Sequence, residues 1–287
     1  MEITKRRLSL RKLRFIRECA IKYCAFAILI AVLAFPFFFM LMKSMMSLVD
    51  VNAPLVRLFP RQITLDNYKI FGEYAKYFYN SFIVVVVSSI AMPMTSMLIA
   101  YPLARYRFKG NRFMFSLLLA TAMIPGSVLQ VPQYFLFVRL GLVNTLASQY
   151  IGSFFGGGGI TIFLIIQFMR GIPKELDDAA RIDGANKFMI FYRILLPLCG
   201  NIMIYLGIGM AMGQWSNFAG PLIYLREDAK RTIAVAFYYH FGASGTAAMM
   251  SNVKMAMAVC MTLFPVVLFF SFQKQMIGGI KIGGIKE

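Results

Sequence analysis

The residue types that ordinarily carry reaction chemistry are scarce in this chain. There is one histidine, His240, and there are four cysteines, Cys19, Cys24, Cys199 and Cys260, none of them in a Cys-x-x-Cys pair. A single histidine excludes a histidine-rich metal site. No Gly-x-x-x-x-Gly-Lys-Ser/Thr loop is present to cradle phosphates. The long apolar runs contain no acid, so no acid–base or nucleophile constellation is visible inside them. The cysteines read as small apolar core residues. What the sequence does concentrate is electrostatic. The stretch PKELDDAARIDGANKFMIFYRILLP, residues 173–197, holds four acids and four bases in twenty-five positions, with greasy segments on both sides. Charges and small residues packed so closely suit recognition of another surface rather than bond-making.

The local pattern resolves into two short helices. Pro173 fits a first helical position, where no N–H is needed, and Glu175 and Asp177 suit the positive helix end. Leu176, Ala179 and Ala180 share one face, but the stripe fails at Asp183 and Lys187, and Gly184 is where a helix can end. Asn186 is a good N-cap for a second helix, in which Phe188, Phe191, Tyr192 and Leu195 are expected to line one face. Ala179 and Ala180 would let another backbone come close, and the acids could meet bases on a partner. Two readings fit the loop on this ground alone, a docking element and a plain connector.

The elements that must position this loop are membrane-spanning. Of 287 residues, 59% are hydrophobic and 15% charged, too few charges to cover a soluble surface. Six runs are long enough to cross roughly 30 Å of hydrocarbon, at about 23–47, 78–104, 113–134, 148–169, 196–224 and 253–273. The first follows a basic tail, residues 1–22. It is too long, and lacks the small-residue site, for a cleaved leader. The net charge of +18 falls in short blocks between spans, which speaks for membrane topology and against nucleic acid. Twenty Lys and Arg lie in the N-terminal tail, the loops after spans two and four and the residues after span six (Lys274 and the C-terminal tail, 276–287), against eight in the three opposite loops. Both termini are therefore expected in the cytoplasm. The permease body is expected over residues 23–275, with the polar loop 173–197 on the cytoplasmic side.

Eight of the eleven prolines lie in or beside the spans, and span four contains Gly156–Gly159. These helices should bend or break, which at membrane depth is tolerated where they line a cavity. The polar residues within spans are uncharged. Gln130, Gln133, Gln214, Trp215 and Asn217 are the candidates for a path that suits a neutral, hydroxyl-rich solute; for any one of them the commoner role is an interhelical hydrogen bond.

The motif DAARIDG, nine further residues and ILLP resembles the EAA loop of ABC importer permeases. Ala179, Ala180, Gly184, Ile194, Leu196 and Pro197 fall on the pattern, and Asp178 stands where Glu is usual. The segments AYPLARYRFKG (100–110), MIPGSVLQVPQYFLFVRLGLVNT (123–145) and GQWSNFAGPLIYL (213–225) resemble the carbohydrate-uptake branch, which includes the second permease subunit of the maltose importer. LPLCGN (196–201) departs from it where a second proline is often seen.

The resemblance implies an all-α, polytopic protein with six transmembrane helices and the type I ABC importer permease fold. It implies that the loop is a coupling helix seated on a cytoplasmic ATPase subunit. Glu175 would belong to the ATPase-coupling set, Asp178 and Asp183 would lie near basic groups, Ala179, Ala180 and Gly184 would permit close contact, and Ile194, Leu196 and Pro197 would complete the motif. It further implies a second, different permease, two ATPase subunits that bind ATP and Mg, an extracytoplasmic solute-binding protein, and residence in a bacterial inner membrane among lipid. The chain would be non-catalytic and would hold no cofactor. The expected cargo is an oligosaccharide, including polysaccharide- or uronate-derived (alginate-like) ones. The alternative is a permease for a non-sugar solute. In the maltose relative the other permease mainly holds the sugar, which leaves this chain lining the path.

Overall fold

The structure is a computed structural model. It describes the backbone of residues 2–55, 57–242 and 250–280, and side chains from 17 to 275 within those ranges. Residues 281–287 of the C-terminal tail and the side chains of 2–16 of the basic tail lie outside the described residues. All regular structure among the described residues is helical.

The backbone divides into two units. The first comprises Met1–Ile70 with Gly245–Cys260. Its main element is α1 (Glu2–Ser44), whose apolar part, Arg17–Ser44, is exposed over most of its length, as a helix bathed in lipid would be, and becomes buried only at its end, Ser44. Asn67 ties the end of α1 by donating to the carbonyls of Ser44 (2.9 Å) and Met46 (2.8 Å). The buried Asp50 carboxylate accepts from Arg57 at 2.8 Å.

The second unit, Phe71–Ser244 with Met261–Glu287, carries the polar loop. In order it holds α2 (Ile70–Arg105, its first residue in the other unit), α3 (Asn111–Ala122), α4 (Gly126–Arg139), α5 (Gly158–Arg170), α6 (Glu175–Ile182), α7 (Lys187–Leu198), α8 (Gly200–Trp215), α9 (Ala219–Tyr224), α10 (Ile233–Phe241) and most of α11 (Ser251–Ile280). Among the described residues, four segments are long and apolar enough to cross a membrane unaided: Arg17–Ser44, Asp66–Arg105, Ala147–Arg170 and Ser251–Gln275. The third and fifth expected spans are bent pairs, α3 with α4 at 97° and α7 with α8 at 70°.

The bends have identifiable causes. Pro125 offers no N–H and pushes Ile124 out of the helical region, so α3 stops before it. In α7, Pro197 removes a helical donor, and the preceding turn opens into a π-helical stretch, Ile190–Leu195. The expected fifth span, 196–224, thus starts earlier and ends at Trp215, with α9 separate. The opened turn also divides the face anticipated for α7. Phe191 and Leu195 are buried, while Phe188 and Tyr192 are exposed.

Between apolar helices in lipid, packing and hydrogen bonds must supply the attraction. Met97, Ala100, Ile165, Ile166, Met169, Leu195 and Cys199 are fully buried where α2, α5, α7 and α8 meet. Gly159 sets the closest approach, since a Cβ there would lie 2.3 Å from the Leu118 carbonyl of α3.

Candidate functional site

The polar loop is built much as its residues dictate. α6 ends in a Schellman pair: Ala185 N–H donates to the Ala180 carbonyl (2.8 Å) and Gly184 N–H to that of Arg181 (3.0 Å). This closure needs the left-handed backbone that Gly184 adopts, with φ 83°. Asn186 caps α7, its Oδ1 accepting from Met189 N–H at 2.9 Å. The outward surface of the loop holds Glu175, Asp178, Ala179, Asp183 and Gly184, beside the exposed apolar side chains of Ile182 and Phe188. Asp178 pairs with Arg181 at 2.6 Å on the surface. Ala180 turns toward the chain's own core, with Ile194 and Leu196 half-buried and Pro197 exposed at the π-opened turn.

Asp177 is the residue whose role the sequence does not disclose. It does not face outward with the other acids; it is 3% exposed. Its carboxylate lies 3.2 Å from Nε of Arg105, the last residue of α2, whose side chain is wholly buried. Arg105 also donates from Nη1 to the Ile172 carbonyl at 3.0 Å. Burial pushes the Asp177 carboxyl up, against the pull of the Arg105 guanidinium. One turn earlier on α2, Tyr101 donates to the Lys187 carbonyl at 3.0 Å and packs on Phe191. The last turn of α2 therefore grips both arms of the Gly184 turn, α6 through Arg105 and α7 through Tyr101.

The same helix holds a cavity wall nearer its middle. The Ala147–Arg170 span breaks at Gly156, and α2 binds the break from the side. Thr95 Oγ1 donates to the Ser153 carbonyl (2.7 Å), and Ser96 Oγ accepts from Gly157 N–H (2.7 Å). Ser153, Gly156 and Gly157 line a cavity of about 660 Å³ together with Gln149, Gln133 and Gln214. No side chain lining it is charged. Of the five path candidates, Gln133 and Gln214 are placed in this lining. Gln214 donates to the Gln149 carbonyl at 3.3 Å and accepts from Asn217 at 3.3 Å. Asn217 in turn receives the Gly220 N–H at the start of α9. Gln130 offers its backbone carbonyl to Tyr224 at 3.4 Å. Trp215 is buried, stacked on Phe264 at 4.3 Å, with Nε1 donating to the Met261 carbonyl at 3.1 Å. Gln149, Ser148 and Ser153 were missed in the sequence. They sit at the start of a broken span, where Gly156–Gly159 was the available signal.

The segment between α9 and α10 holds a second polar cluster. The Asp228 carboxylate accepts from Lys76 (2.8 Å), Tyr77 (2.6 Å) and Arg231 (3.0 Å), while Asn80 donates to the carbonyls of Ala229 and Arg231. The Lys76 and Tyr77 hydrogen bonds hold the Asp228 carboxyl below its usual range. Asp228 carries no motif or spacing signal that singles it out in the sequence.

Comparison with known proteins places these features in a family context. A family model described as "binding-protein-dependent transport system inner membrane component" matches residues 92–281. An arabinooligosaccharide transport permease, AraQ of Halalkalibacterium halodurans, is 36% identical over 233 residues, 79% of this chain and 81% of that protein. The melibiose/raffinose/stachyose import permease MelC of Bacillus subtilis is 33% identical over 257 residues, 88% of this chain and 91% of that one. Among solved structures, a bacterial ABC transporter that imports the acidic polysaccharide alginate shares the fold, with a TM-score of 0.76 at 19% identity over 89% of this chain and 95% of that chain.

Proposed function

The chain belongs to the binding-protein-dependent transport system inner membrane components, and from that premise we propose that it is a permease subunit of an ATP-driven oligosaccharide importer whose polar loop is the coupling element. The observation that carries the coupling is the double attachment of α2. At its end it holds both arms of the loop, and about nine residues back, roughly 14 Å along the helix axis, it holds the broken span that walls the cavity.

The mechanism follows from these attachments. A cytoplasmic ATPase subunit receives the outward face of α6, with Glu175, Asp178 and Asp183 toward its bases. Ala179 and Gly184 admit close approach, while Ala180 keeps α6 seated on its own core. When the ATPases close on ATP and Mg, which they and not this chain hold, α6 and α7 move with them. Arg105 and Tyr101 pass that displacement to α2, and Thr95 and Ser96 pass it to the Gly156 break. The cavity then opens to the side on which a solute-binding protein delivers cargo. Ile194, Leu196 and Pro197 form the turn through which α7 leads into α8. A different permease completes the pathway. Arg105 and Arg112 share one cavity with Arg170 and Lys174, so the loops after spans two and four lie at one end, which supports cytoplasmic termini.

The uncharged cavity, with glutamine amides at Gln133, Gln149 and Gln214, supports a hydroxyl-rich cargo. The relatives named for arabinooligosaccharides and for melibiose, raffinose and stachyose support the same class. The test is uptake into proteoliposomes holding this chain with its co-purified subunits and binding protein. Neutral and uronate oligosaccharides are offered beside amino acids and polyol phosphates. ATP-dependent uptake of one oligosaccharide class supports the reading; uptake confined to a non-sugar solute overturns the cargo assignment.

A further inference from the structure

A second cavity, of about 970 Å³, opens where the end of α2, the start of α3 and the end of α5 converge. Arg105, Arg107, Arg112, Arg170 and Lys174 line it, and no acid does. Asp177 pairs with Arg105 and offsets that one charge. Arg107, Arg112, Arg170 and Lys174 form no ion pair among the described residues. Like charges gathered around an open space repel one another unless an anion enters.

Two observations point to such an anion. The first is the charge itself: four basic side chains line the space with no acid among them, while the Arg105 side chain is wholly buried and the residue meets the space only through its backbone. The first turn of α3 also opens onto the space, with no side-chain cap at Gly110, so its positive end faces the same point. The surroundings favour a lipid over a free ion. All three helices are apolar and end here, which places the cavity at the headgroup level of a membrane. Phe113 beside it is 72% exposed and Phe108 40% exposed, apolar surface on which acyl chains can lie. We propose that this cavity binds the phosphate headgroup of an anionic phospholipid, with Arg107, Arg112 and Lys174 as the principal charge partners and the free N–H groups in the first turn of α3 as donors. Nothing in this depends on which solute the protein carries.

The test is retention of lipid by the chain purified in detergent with its co-purifying subunits. Phosphatidylglycerol, phosphatidylcholine or glycerol 1-phosphate is titrated in, and bound adducts are counted by native mass spectrometry. The expected result is saturable retention of phosphatidylglycerol, not of phosphatidylcholine, and no displacement by millimolar glycerol 1-phosphate. Each base near an anionic lipid contributes roughly fivefold. The triple variant Arg107→Gln/Arg112→Gln/Lys174→Gln should therefore weaken retention about a hundredfold, and each single variant about fivefold. Should the triple variant not purify intact, the three single variants decide. Equal retention of both lipids, or wild-type retention in the variants, overturns the site. Displacement by glycerol 1-phosphate overturns the lipid and leaves a soluble phosphate ester as the ligand.

Discussion

The Arg105–Asp177 pair offers a perturbation whose two arms point in opposite directions. Replacing Asp177 alone by Leu leaves Arg105 charged and wholly buried with no carboxylate to meet it. Breaking a buried pair from one side costs about 3–5 kcal/mol, which for a chain of this size lowers the melting temperature by on the order of 10 °C. Replacing both, Arg105→Met with Asp177→Leu, removes the desolvation penalty as well as the attraction. Burial already pushes the Asp177 carboxyl up despite the neighbouring guanidinium, so desolvation outweighs the electrostatic return and the double variant should sit within about 1 kcal/mol of the parent. The apolar pair nevertheless has no ionic register to keep α6 locked to α2. The assay is therefore twofold: thermal stability by fluorescence-detected size exclusion, and solute imported per ATP hydrolysed in proteoliposomes. The expected outcome is an unstable Asp177→Leu and a stable double variant whose transport per ATP falls about tenfold. A double variant as unstable as the single one would refute the energetics. A stable double variant with an unchanged transport ratio would refute the mechanical role and leave the pair as structure only.

Other consequences follow from single sites. Gly184→Val forces a β-branched residue into a left-handed backbone at φ 83°; the cost should be about 1–2 kcal/mol, and ATPase stimulation by loaded binding protein should fall although the space there is open. Gly159→Ala sets a methyl 2.3 Å from the Leu118 carbonyl, so α3 and α5 must part, at about 1–3 kcal/mol, read as loss of folded yield in detergent. The Asp228 carboxyl is held low by Lys76 and Tyr77. A depressed folded pKa contributes stability above the unfolded value, near 3.9, and loses it as pH falls through the folded value. The Asp228→Asn variant should therefore show a flatter melting profile than the parent below about pH 4. Gln133→Leu, a change in the lining of the uncharged cavity, should lower uptake several-fold with assembly, checked by size exclusion, intact.

What the chain disclosed before its structure depended on how local the determining physics was. The caps of the polar loop, Gly184 and Asn186, act within a few residues, and their types alone placed the turn. Of the eight prolines expected to bend or break helices, Pro125 does sit at the break between α3 and α4, at 97°, whereas Pro36, Pro93, Pro102, Pro132 and Pro265 lie inside continuous helices; proline type alone does not say which helix breaks. The π-opened turn of α7 was hidden, because Pro197 signals lost hydrogen bonding but not which neighbouring turn absorbs it. The expected common face of Phe188, Phe191, Tyr192 and Leu195 failed at that point.

Arg105 and Asp177 show where local reading stops. Each carries a sufficient local explanation, Arg105 as one more base in a topology-setting block and Asp177 as one more acid at a helix start. Nothing within either segment shows that they meet, because the contact joins residues seventy-two positions apart. Yet these two readings constrain each other. A base fixed at the span end by topology and an acid in the first turn of the loop helix lie at the same depth whenever both loops emerge on one side. The charge rule that sorts the loops thus also brings the partners within reach. Burial then converts a sorting signal into a mechanical joint. A charge so used cannot be exchanged freely for another of its sign. Arg105→Lys would keep the topology but lose the fork that reaches Asp177 and the Ile172 carbonyl together, so it should insert normally and still couple poorly.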